Sequence, residues 1–178
     1  MRVVEGVAEV DDLDAFLADL DGITTEYGCT IQAFDARYVV DRTHLRRALD
    51  LADRAIARGE NVARDRAVEV LLYAAGRRQI DESLTMGVAE GETPVVVVVA
   101  DDPEAGAAAD VSSGAGDDAA EAAAAAVAAL LTPAETLGDY DESRVRSFFE
   151  VGDPELAATG ATLAELVHER VALIDVSK

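Results

Sequence analysis

The side chains best suited to chemistry stand three in a row: Arg77, Arg78 and Gln79. Gly76 stops the helix before them and Asp81 can cap the helix after them. Two guanidinium groups and an amide would then project from a tight turn. Planar forks with fixed donors suit phosphate oxygens and base edges, and arginine also stacks on bases. Arg64 and Arg66 open the helix that ends at this turn. The pattern points to a polyanion or nucleic acid. The plainer explanation, cations at a helix C-terminus, is worth only about 0.3–1 kcal/mol and does not need two arginines.

The distribution of charge sharpens this. The 178 residues carry 15 basic and 36 acidic side chains, for a net charge of −21. Residues 37–78 hold ten arginines against six acids, a net +4; the remainder, with five basic and thirty acidic residues, nets −25. On the helix expected over 43–58, at about 100° per residue, Arg47, Arg54 and Arg58 fall within roughly 40° of each other, opposite the apolar face. All the basic residues are arginine except Lys178. A folded, acidic, nearly lysine-free surface is what a salt-filled cytoplasm selects, because at about 1 M salt the Debye length is roughly 3 Å and self-repulsion is muted. The expectation is a cytoplasmic protein of a halophile.

Several classes are excluded. The lone Cys29 makes no intramolecular disulfide and reads as a small buried apolar residue. Two histidines, His44 and His168, with one cysteine fall short of a usual zinc site. The longest apolar runs, Val95–Ala100 and Ala122–Leu131, are far short of the roughly 20 residues a membrane helix needs. The acidic residues near the start leave no export signal. Gly114 to Ala119 matches a dinucleotide fingerprint by letter, but it lies far beyond the nearest strand and puts two aspartates where a pyrophosphate would sit. Ser143, Ser147 and His168 form no convincing triad, and His168 reads as a solvated helix flank. No catalytic constellation, cofactor site or metal site is legible, so the chain is expected not to be an enzyme.

The elements that must hold the turn follow from periodicity. Residues 2–10 and 30–34 alternate as strands, and Val95–Val99 is the clearest strand, suited to the middle of a sheet. Helices are expected from Asp11 to Gly22, 43–58, 65–75, 81–86, 119–131, 141–149 and 162–171. The helix over 65–75 is apolar nearly all round, so it is central or covered on its outer side. Residues 101–118 are acidic and of low complexity, and read as a surface loop. The fold class is mixed α/β: one compact domain over 1–178, a small sheet with its central strand near 95–100, and several helices packed on it.

Asn61 to Val88, above all the run EVLLYAAGRRQI from Glu69 to Ile80, resembles the core of the archaeal Cgi-type subunits of the KEOPS complex, relatives of the PRPK-binding proteins. The likeness covers roughly residues 30–100 and, more loosely, 160–176. It implies a compact mixed α/β fold and a non-catalytic subunit of the assembly that makes threonylcarbamoyladenosine in tRNA. Its implied partners are the kinase-like ATPase subunit and the tRNA, captured by its 3′ CCA end; no membrane and no DNA are implied. The matching positions for tRNA contact are Arg64, Arg66, Arg77, Arg78 and Gln79. Val68, Leu71 and Leu72, with the final helix, are the candidates for the kinase interface. The main alternative is a protein-interaction module that tunes the kinase without touching RNA.

Overall fold

Five β-branched residues in succession cannot keep one face wet, and Val95 to Val99 are all at most 2 % exposed. They lie in the third of four strands. In chain order the elements are β1 (Arg2–Val10), α1 (Leu13–Tyr27), β2 (Cys29–Asp35), α2 (Arg42–Arg58), α3 (Arg66–Ala75), α4 (Ile80–Ser83), β3 (Gly91–Asp101), α5 (Ala115–Ala129), β4 (Thr132–Pro133), α6 (Glu142–Phe149), α7 (Asp153–Thr159) and α8 (Leu163–Leu173). Single 3-10 turns occupy Ala36–Tyr38 and Leu84–Met86. This computed structural model describes residues 1–102 and 115–174. Most of the loop expected over 101–118 lies outside those residues. Asp117 and Asp118 belong instead to the first turn of α5.

The chain divides into two compact units. The first comprises Met1–Ala33 and Val88–Thr136. Its sheet is antiparallel with the order β2-β3-β1-β4, so β3 is interior as expected. β1 pairs with β3 from Arg2↔Val99 to Val10↔Gly91, and with β4 at Gly6↔Pro133 and Val7↔Thr132. Gly6 is required by that second pairing: a Cβ there would meet Thr132 O at 2.8 Å and Leu131 Cβ at 2.9 Å. The core joins Ala8, Val10, Ile31, Val95, Val97 and Val99 to Leu20 of α1 and to Ala120, Ala123 and Val127 of α5. Cys29 belongs to it too, 3 % exposed.

Gly22 does not close α1. The helix runs on to Tyr27 and ends at Gly28, whose φ is 64°. An interior glycine costs only about 1 kcal/mol, and the extra turns pack Ile23 and Tyr27 on the core. α5 begins four residues earlier than expected. The two-residue β4 and the short α7 were not anticipated.

The second unit comprises Phe34–Gly87 and Leu137–Lys178. α2 packs against α3 and α8, and α6 against α8. Part of the acidity is spent on helix starts, where a carboxylate accepts orphan backbone N–H groups. Asp41 caps α2 through His44 N at 2.8 Å, Asp65 caps α3 through Val68 N at 3.1 Å, and Asp141 caps α6 through Arg144 N at 3.0 Å. Thr162 and Glu165 form a capping box at α8. The apolar α3 packs chiefly on α2 and also meets α8, so neighbouring helices take up the apolar surface its sequence runs round it.

Candidate functional site

The turn after α3 is set by its glycine. Gly76 adopts φ 61°, its N–H bonds Tyr73 O at 3.0 Å, and Arg77 N–H bonds Leu72 O at 3.1 Å. This paired closure needs the left-handed conformation that glycine adopts without strain. It sends the next two side chains in different directions. Arg77 turns inward: Nη2 donates to Phe148 O at 2.6 Å, its Cζ lies 5.3 Å from the centroid of the Phe148 ring, and Nη1 is 3.5 Å from Glu82 Oε2. It braces the turn to the end of α6. Arg78 is exposed and makes no hydrogen bond or ion pair among the described residues. The Gln79 amide, oriented by its neighbours, donates to both oxygens of Glu82 at 2.9 and 2.6 Å. Asp81 does not cap α4. Gln79 holds the N-cap position with no side-chain bond to the helix backbone N–H groups, because α4 starts one residue before Asp81.

The two basic clusters stand at opposite ends of α3, a ten-residue helix about 15 Å long. Arg64 is exposed and unpaired among the described residues. Arg66 grips Asp53 of α2 in a bidentate pair, Nε to Oδ1 at 2.7 Å and Nη2 to Oδ2 at 3.0 Å. Its side chain is only 14 % exposed. Arg66 therefore locks α3 to α2. Val68 is half-buried, while Leu71 and Leu72 are 3 % and 1 % exposed, within the helical packing of the unit.

Sequence reasoning missed the apolar surface beside the turn. Ile80 is 41 % and Leu84 56 % exposed, four residues apart on one continuous helical stretch. A shallow depression next to Arg77 and Arg78 is lined by Val62, Glu69, Leu72, Tyr73 and Ile174. Val62, at its rim, is 47 % exposed. Glu69, 1 % exposed, shapes this wall: its Oε2 accepts from Val62 N at 3.0 Å and Ala63 N at 2.8 Å. A lone acid inside an apolar helix was the signal that could have found it.

Two histidines hold the far side of α3 and the start of α2. His44, fully buried, donates from Nε2 to Ala74 O at 2.8 Å and stacks edge-on to Phe149 at 5.8 Å. Among the described residues its Nδ1 has no partner, as suits a neutral ring. His168 is not solvated: its Nε2 lies 2.9 Å from Asp41 Oδ1, with the side chain 12 % exposed. Burial raises the Asp41 pKa, but hydrogen bonds from His44 N–H and His168 outweigh it and leave it below the ordinary value.

Burial pushes the His44 pKa down from 6.5 to about 4. The unfolded chain then takes up the proton first as pH falls. Stability from this group is whole above about pH 6.5 and is lost toward pH 4, by up to about 3 kcal/mol. Denaturant unfolding should show a flatter pH profile over that window for His44→Leu than for the wild type. Parallel profiles would refute a buried neutral ring.

Among the described residues no helix is long and apolar enough to cross a membrane. The family model described as kinase binding protein CGI-121 matches residues 7–175. No curated protein sequence matches the chain.

Proposed function

The chain belongs to the CGI-121 family of kinase binding proteins, and from that premise we propose that it is the non-catalytic subunit of a KEOPS-type assembly, binding the kinase-like ATPase subunit and capturing tRNA by its 3′ CCA end. One observation supports the RNA half above all. Arg2, Arg144, Arg146 and Arg170, the arginines outside residues 37–78, are all ion-paired. Within that segment Arg42, Arg46, Arg47, Arg54, Arg64 and Arg78 are exposed and unpaired among the described residues. A chain with 36 acids has partners to spare. Guanidinium groups left open on one stretch suit a polyanion. Arg78 and Arg64 are the proposed direct contacts, while Arg66, Arg77 and Gln79 hold the framework. The acidic composition supports a salt-rich cytoplasm as the setting.

The test is binding of the purified chain to tRNA with and without its CCA end in molar KCl. The intact tRNA should bind at least about tenfold tighter, roughly 1.4 kcal/mol. Equal binding would overturn capture of the end. A second reading, a kinase-tuning module without RNA, is favoured by the exposed Ile80 and Leu84 and by the internal engagement of Arg66 and Arg77. Absence of tRNA binding together with intact kinase binding would select it.

A further inference from the structure

We propose that the outward face of α2 is a second nucleic-acid contact, a track for the phosphate backbone of a duplex stem. This deepens the RNA reading above and rests on it. Arg42, Arg46, Arg47 and Arg54 are exposed on α2 without an ion pair among the described residues. Of the two acids on that helix, Asp53 is taken by Arg66, and only the exposed Asp50 opposes them.

Spacing and composition favour phosphate over protein. Arg47 and Arg54 are seven residues apart, about 10.5 Å along the axis and within roughly 20° of each other in azimuth. That separation lets each guanidinium reach a different phosphate of one strand. A protein interface would carry an apolar or aromatic centre. Among the described residues the exposed large apolar side chains are Leu17, Val62, Ile80, Leu84, Leu130 and Leu173, none of them on α2. The guanidinium fork adds directional bonds to phosphate that persist when salt has screened bare charge.

The experiment is a KCl series of binding to intact and CCA-less tRNA by the wild type, by Arg47→Ala with Arg54→Ala, and by the matching lysine pair. The alanine pair should lower affinity and reduce the slope of log K against log salt by about 1.4–1.8, at roughly 0.7–0.9 per phosphate. The ratio between the two tRNAs should not change, because the end is held elsewhere. The lysine pair, with its charge kept, should retain the slope. Unchanged affinity and slope in the alanine pair, with CCA discrimination intact, would overturn the track and leave the capture reading standing. Loss of kinase binding with tRNA binding unchanged would make this face a protein dock. A reduced slope in the lysine pair would reveal a structural effect and also overturn it. Failure of the wild type to bind either tRNA would instead remove the reading on which the track rests.

Discussion

Ile80→Glu together with Leu84→Glu is expected to weaken binding of the kinase partner at least about a hundredfold, roughly 2.7 kcal/mol, while the fold survives. Both side chains already stand in water, 41 % and 56 % exposed, so a carboxylate there costs the free protein little. Beneath them Ser83 and Met86 are fully buried, which anchors the short helical stretch. In a complex the same positions would be stripped of water. Binding energy concentrates in a few such side chains at an interface centre, and an unpaired charge buried there is strongly unfavourable. Leu71 and Leu72 cannot serve for this test. Each is buried, and truncation would cost about 2–5 kcal/mol of stability and confound any loss of binding. The measurement is calorimetric titration of the kinase subunit, with thermal unfolding as a control. Unimpaired binding by a folded double variant would place the interface elsewhere.

Arg78→Lys and Arg77→Lys are expected to separate binding from stability. Arg78→Lys should weaken tRNA binding in molar KCl about tenfold, roughly 1.4 kcal/mol, and leave the unfolding temperature unchanged. Lysine keeps the charge but loses the fork and the stacking plane. Arg77→Lys should instead lower stability by about 1–2 kcal/mol. It gives up a hydrogen bond to the Phe148 carbonyl and the contact with the Phe148 ring. Its effect on tRNA should follow from the loosened turn. If both variants bind tRNA like the wild type and Arg77→Lys melts normally, the turn neither recognises RNA nor braces α6.

What was legible in the sequence is what depends on neighbours a few residues away. The stop at Gly76 was readable, as was the interior strand from its run of valines. The outward placement of Arg47 and Arg54 followed from helical period alone. The misreadings depend on distance. Nothing near His168 announces that Asp41, 127 residues away, will take its Nε2. Arg66 and Arg77 look as free as Arg64 and Arg78 until the helices pack and bring Asp53 and the end of α6 beside them. Gly22 looked like a stop because local propensity says so, and packing of Ile23 and Tyr27 overrode it. β4, at two residues, is too short to carry an alternation, and the seven residues of α7 bury no side chain whose spacing could mark a helical face.

The interleaving of the two units has a consequence for how the protein is made. Neither is a continuous stretch of chain: each is begun in the first half of the sequence and completed after residue 87. As the polypeptide leaves the ribosome, α2 and α3 emerge long before α8, which packs against them, has been synthesised. β1 likewise waits for β3, whose pairing joins residues as far apart as Arg2 and Val99. Non-local closure of this kind slows folding and leaves apolar faces uncovered in the nascent chain. Meanwhile the locally encoded devices, the carboxylate caps on α2 and α3 and the glycine closure at Gly76, can hold the early helices in shape until their late partners arrive.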